Sequence, residues 1–227
     1  MTDRARWAER RLEYRFTDPH LLEQALTHRS AGRLNNERLE FLGDALLNFT
    51  IARELFHLRA DDTEGDLSRA RATLVNKTSL AEVGRELGLA EHLILGRGEL
   101  RTGGAQRSSI LADTVEALLA AVFLDGGPEA AEQLILRLMS KKLERLPDAS
   151  ALKDAKTRLQ EALQGAGLDL PEYEVESVDG SEHRKTFTVV CRVRQKRLDT
   201  RGKGPSRRLG EQAAAAQMLT ALTDAGI

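Results

Sequence analysis

Two short runs of the sequence carry carboxylates where a helix would otherwise be apolar. In NNERLEFLGDALLNF, residues 35–49, Glu37, Glu40 and Asp44 recur at spacings of three and four. At about 100° per residue they share an arc of roughly 60° on a helix. Leu39, Phe41, Leu42, Ala45 and Leu46 fill most of the remaining circumference, so the spacing predicts a buried helix with one narrow acidic strip. ILADTVEALLAAVFL repeats the pattern, with Asp113 and Glu116 three apart among apolar neighbours. An isolated buried carboxylate is costly, and two such strips repel each other unless a cation lies between them. Oxygen donors without clustered Cys or His favour Mg²⁺ or Mn²⁺ over Zn²⁺. Such an ion lowers the pKa of bound water and stabilises charge on a leaving oxygen, which suits phosphoester chemistry.

Other groupings carry less. Glu64 and Asp66 in TEGDLSRAR suit a helix start capped by Thr63, and pairing with an arginine accounts equally well for Glu37. A di-iron carboxylate bundle wants two Glu-x-x-His pairs. The chain offers Glu54-x-x-His57, about 60–160° around the same helix from the acidic strip. Five scattered histidines and no nucleophile–base pattern argue against a serine- or cysteine-type hydrolase. The glycine-rich LGRGELRTGG lacks the Lys-Ser/Thr ending and strand context of a phosphate-binding P-loop, so no nucleotide role is expected there.

The elements that must hold these residues change character near residue 147. Residues 1–146 are expected to form an all-α domain, with helices over 37–58, 67–87, 109–124 and 128–145 and a helix started by Asp18 and Pro19. Residues 147–153 read as a linker. Residues 154–227 read as a small α+β domain of order α-β-β-β-α: a helix ending at QGAG, strands in YEVESV and KTFTVVCRVR joined by DGSE, a weaker strand around Arg197–Thr200, and an alanine-rich last helix. Phe187, Val189, Cys191 and Val193 fall on one strand face. Cys191, the one cysteine, is expected to be a buried, inert thiol.

Net charge is −1 over 227 residues, with 41% hydrophobic and 30% charged, which excludes a disordered chain. The average hides an asymmetry. Residues 153–227 hold thirteen basic and eleven acidic groups, against twenty-one and twenty-four in residues 1–152. From His183 to Arg208 ten basic residues face Asp199 alone, which predicts a polyanion-binding stripe. The N-terminus lacks the apolar core of a signal peptide, and the longest unbroken apolar stretch, residues 117–124, is too short to span a bilayer. A soluble, cytoplasmic protein is expected.

NNERLEFLGDALL resembles the signature motif of the bacterial ribonuclease III family, and LADTVEALLAAVFLDGG resembles that family's second acidic motif. EGDLSRARATLV and LTHRS fit as well. KTRLQEALQ, HRKTFTV and GKGPSRRLGEQAAAAQML are similar to a double-stranded RNA-binding domain. The resemblance covers nearly the whole chain in order. It implies an endoribonuclease that cleaves double-stranded RNA with Mg²⁺, leaving 5′-phosphate and 3′-hydroxyl ends, and processes rRNA precursors, some mRNAs and other structured RNAs. Glu40, Asp44, Asp113 and Glu116 would be metal ligands, with Asp44 and Glu116 central to catalysis and Glu37 and Glu64 auxiliary. The family resemblance also implies a homodimer in which Phe41 packs on the partner subunit.

In the C-terminal domain the resemblance puts Thr157, Gln160 and Glu161 at one minor groove and His183 at a second. Lys203, Ser206, Arg207 and Arg208 would meet the major groove at a helix N-terminus. A-form RNA is read by shape in this way, with the helix dipole attracting phosphate. Gly210 stands where the family favours alanine, which predicts a helix start weakened by roughly 1 kcal/mol. Leu209 stands where a basic residue is common. A non-cleaving double-stranded RNA-binding regulator is the alternative reading, and the intact acidic set argues against it.

Overall fold

Short polar side chains set most helix starts in the first part of the chain. Thr2 accepts from the Ala5 N–H to open α1 (Asp3–Arg11), and Asp18 accepts from the His20 N–H to open α2 (Pro19–Leu26), as its Asp-Pro start predicts. The long α3 (Glu37–Leu58) follows the buried Asn36. Thr63 then caps α4 (Glu64–Val75), and Asn76 caps α5 (Lys77–Leu87). A short α6 (Arg97–Arg101) lies in the glycine-rich segment, and α7 (Ser108–Glu144) completes this part. The computed structural model describes residues 2–148, 153–181 and 184–225. The chain divides into two units, one through Pro147 and one from Asp148.

One expected helix differs from what is observed, and one expected break is met. The continuous helix expected over 67–87 breaks at Asn76, whose extended backbone (ψ 160°) lets its side chain accept from the Ser79 N–H. The break expected between 109–124 and 128–145 is present: Ser108–Glu144 is two helical segments on either side of Gly127, whose backbone is not helical. Its φ of 84° and ψ of −178° belong to glycine, and Pro128 behind it starts the second segment.

The first segment of α7 is buried all round from Ala117 to Val122, as expected of a helix without a polar face. Packed on it, α3 buries Leu39, Leu47, Ile51 and Leu55. The other side of α3 corrects the expectation of a fully buried helix: Phe41, Phe49 and Phe56 are 81%, 66% and 66% exposed. Its apolar circumference is two faces, one for the core and one facing outward.

The second unit runs α8 (Ala155–Gly165), β1 (Glu172–Asp179), β2 (Thr186–Val193), β3 (Leu198–Gly204) and α9 (Arg207–Asp224). The strands form an antiparallel sheet in the order β1-β2-β3. Leu159 and Leu163 of α8 and Ala214, Ala215, Met218 and Leu222 of α9 pack with Cys191 and Val193 into one core. This is the α-β-β-β-α fold. Cys191 is buried, and burial pushes its thiol up to about 11.

Three glycines explain how α9 sits on the sheet. β3 runs on to Gly204, past the expected end at Thr200, pairing Gly202 with Val189 and Gly204 with Phe187. A Cβ on Gly202 would lie 2.0 Å from the Ala214 nitrogen, and one on Gly204 would lie 2.6 Å from the Gly210 nitrogen. Gly210 is itself buried, and a Cβ there would be 2.8 Å from Val189 Cγ2. The expectation that Gly210 merely weakens the helix is therefore revised: bare backbone is what the helix–sheet contact accommodates.

The expected ten-residue basic stripe is also corrected. β1 alternates, so Glu172, Glu174 and Glu176 share one face of the strand. Glu172 pairs with Arg194, Glu174 with Arg192, and Glu176 with Arg201; Arg192 also reaches Asp199. Three of the ten cations are thereby committed to the sheet's own carboxylates.

Candidate active site and RNA-facing residues

The crossing of α3 and α7 brings the two acidic strips together. Gly43 makes the approach possible: a Cβ there would stand 1.9 Å from the Glu116 carbonyl oxygen. One carboxylate oxygen each from Glu40, Asp113 and Glu116 lies within 4.8 Å of the others. With Glu37, Phe41, Asp44, Lys77 and Ala112 they line a cleft of about 410 Å³, which has room for a cation and several waters of roughly 30 Å³ each. Asp44 is on the same cleft but outside the tight trio, and its Oδ1 accepts from Asn48 Nδ2 at 2.8 Å.

The electrostatics record a concentration of negative charge. Burial pushes the Glu116 carboxyl up to about 8, aided by the charges of Asp44, Glu40 and Asp113. Glu40 is raised by burial, then by Asp113 and Glu37. Burial also raises Asp113, against the pull of Lys77, His28 and Arg29. Three half-buried oxygen donors that resist ionisation together are matched to a hard divalent cation.

The remaining acids of the first unit sort differently. Glu37 lines the cleft but also lies 3.5 Å from Arg29 and accepts from Asn35. Glu64 stands in the first turn of α4, away from the cleft lining, and accepts from Ser68 Oγ at 2.8 Å. Asp66 is buried as a local structural group, accepting from Thr63 and Arg69. Asp125, at the end of the second acidic run, accepts from the Tyr14 hydroxyl and the Thr17 and Asp18 N–H groups, tying the segment before α2 to α7. Two contributors to the cleft, Gly43 and Lys77, were not singled out by sequence. A glycine inside an otherwise strong helix was the available signal for the first.

Residues 18–143 match the family described as Ribonuclease-III-like, and residues 155–222 match the double-stranded RNA binding motif. The Ribonuclease 3 of Alkalilimnicola ehrlichii is 54% identical, over 94% of this chain and 94% of its own. The chain belongs to the ribonuclease III family. Ribonuclease 3 of Legionella pneumophila (strain Lens) is 52% identical, over 94% of this chain and 95% of its own. The nuclease domain of ribonuclease III from Campylobacter jejuni superposes with a TM-score of 0.61 at 41% identity, covering 64% of this chain and all of that one. As a ribonuclease III the protein is an endoribonuclease that cleaves double-stranded RNA. The family is metal-dependent, and the acid cluster described above fits a metal.

In the ribonuclease III second unit, Asp154 caps α8, accepting from the N–H and the hydroxyl of Thr157. Gln160 and Glu161 are exposed one turn on, and Lys153 holds Glu161. Lys203, Arg207 and Arg208 are exposed around the start of α9, where Ser206 accepts from the Leu209 N–H. Glu211 joins the two helix starts: its buried carboxylate takes Lys156 Nζ at 2.6 Å and Arg207 Nε at 2.8 Å. Gln212 adds a second link, donating to Asp154 and accepting from the Lys156 N–H. His183 lies outside the described residues. Among the described residues of the chain, no helix is long and apolar enough to cross a membrane.

Proposed function

We propose that the acid cleft is the catalytic centre, with Glu40, Asp113 and Glu116 holding Mg²⁺, Asp44 completing the set, and Mn²⁺ able to substitute. The convergence of three carboxylate oxygens within 4.8 Å carries this reading. Bound there, Mg²⁺ supplies Lewis acidity for hydrolysis of a phosphodiester. The chain's own groups do the rest. Asp44, exposed and held by Asn48, orients groups at the open side of the cleft. Glu37 is an auxiliary acid at the rim. Water adds to phosphorus, the P–O3′ bond breaks, and the products are a 5′-phosphate and a 3′-hydroxyl.

Substrate is held by the second unit: Thr157, Gln160 and Glu161 at one minor groove, and Lys203, Ser206, Arg207 and Arg208 on the phosphates bordering the major groove. His183 serves a second minor groove. The working form is a homodimer in which each copy cuts one strand. Phe41, Phe49 and Phe56 fall within about 80° on α3, and an apolar stripe of this exposure supports an isologous contact with a second copy. The substrates are rRNA precursors, some mRNAs and other structured RNAs of the cytoplasm.

The test is cleavage of a long duplex RNA by the full chain with Mg²⁺ and with EDTA, followed by end-group analysis. Cutting with Mg²⁺ alone, yielding 5′-phosphate ends, supports the reading. Cutting in EDTA, or 2′,3′-cyclic phosphate ends, refutes it.

A further inference from the structure

The cleft lining contains five carboxylates and one cation, Lys77. Lys77 is the first residue of α5, placed there by the break at Asn76. It lines the same cleft as Glu40, Asp113 and Glu116, and its charge draws all three down. Yet among the described residues it makes no ion pair within 4.0 Å, whereas Arg29, the other cation whose charge reaches Glu40 and Asp113, stands 3.5 Å from Glu37.

Two roles are open to an ammonium beside an acid cluster. A lysine that substitutes for a metal closes onto the carboxylates. Lys77 instead stays exposed and uncommitted to any one of them, available to an anion arriving from outside. The anion that must arrive is an RNA phosphate, and five carboxylates repel it. Lys77 also stands at the positive end of an eleven-residue helix, which favours negative charge.

We propose that Lys77 binds a non-bridging oxygen of the phosphodiester being cut, holding it at the acids while charge builds on phosphorus. This rests on the acid cleft being the catalytic centre. A donor aimed at developing oxyanion charge acts mainly on the chemical step rather than on overall RNA affinity, because most phosphate contacts lie elsewhere along the duplex.

The experiment compares wild type, Lys77→Ala, Lys77→Gln and Lys77→Arg in single-turnover cleavage of a saturating duplex that carries one phosphorothioate diastereomer at the cut linkage. Both diastereomers are tested, with Glu116→Gln in parallel. Lys77→Ala and Lys77→Gln are expected to slow cleavage by about 10–100-fold, within the range for removing an oxyanion donor, with Lys77→Arg recovering part of the rate. One diastereomer should slow wild type, and that sulfur effect should shrink toward one in Lys77→Ala. RNA affinity, read in the Glu116→Gln background, should change by less than about threefold.

Cleavage by both Lys77 variants within about twofold of wild type overturns the proposal. So does a loss erased by added Mg²⁺, or an undiminished sulfur effect in Lys77→Ala. Glu116→Gln separates the layers. If it cuts normally, the catalytic centre itself is misplaced; if it is inactive while Lys77→Ala is normal, only the role of Lys77 falls.

Discussion

Glu116 carries the sharpest single-residue consequence. Its carboxyl is pushed up to about 8 from an ordinary 4.5 by burial and three neighbouring acids. Between those values the folded protein keeps a proton that the unfolded chain has released. Stability without metal therefore falls as pH rises from about 5 to 8. A divalent cation displaces that proton and relieves the repulsion, so Mg²⁺ should raise the melting temperature more at pH 8 than at pH 6. Glu116→Gln should flatten the pH slope in EDTA and blunt the Mg²⁺ response. Melting curves of both proteins, with and without Mg²⁺, check this, and a Glu116→Gln protein with the wild-type slope would contradict it. Glu40, Asp113 and Glu116 were legible in the sequence because their spacing is periodic on helices that had to be buried. Lys77 was not: a lone lysine in NKTSL has no periodicity, and its placement depends on a helix break that the apolar pattern does not reveal.

At the scale of elements, close backbone approach decides what side chains can do. Gly43 lets α3 touch α7 at Glu116, and a methyl there would meet a carbonyl oxygen at 1.9 Å. Gly43→Ala should cost at least about 1–3 kcal/mol, the usual range for overpacking, and should abolish the Mg²⁺-dependent rise in melting temperature. Thermal melts with and without Mg²⁺ read both effects. Gly210→Ala separates local propensity from packing. Propensity alone favours alanine by roughly 1 kcal/mol, but the new Cβ would crowd Val189 Cγ2, on a stiff β-branched side chain. Its melting temperature is expected not to rise. The extent of strand β3 was not legible because glycines look like a loop; here Gly202 and Gly204 are strand residues kept bare for α9. The basic stripe was overread for a related reason. Counting along the chain cannot show that Glu172, Glu174 and Glu176 arrive from strand β1 to neutralise Arg194, Arg192 and Arg201.

For the whole molecule, the order of units and the fold of each were readable from periodicity and punctuation, whereas the exposed face of α3 was not. Apolar residues all round a helix predict burial; the family resemblance alone set Phe41 outward, and the structure adds Phe49 and Phe56 to that face. Replacing Phe41, Phe49 and Phe56 together by serine should shift the proposed dimer to monomer in sedimentation at micromolar concentration, without loss of helical signal. Arg207→Ala with Arg208→Ala should weaken duplex binding. It should also reduce the slope of log affinity against log salt by about one for each phosphate that is no longer neutralised. An unchanged slope would assign the phosphates to other residues.

The carboxylates gathered between α3 and α7 are proposed to cut double-stranded RNA with a divalent ion. This is tested most directly by measuring duplex cleavage and duplex binding on the same samples of wild type and Glu116→Gln at saturating Mg²⁺. The expected result is equal binding, with cleavage by Glu116→Gln reduced by at least about 100-fold, on the scale of losing a principal electrostatic group. Cleavage by Glu116→Gln at the wild-type rate would remove these acids from the reaction.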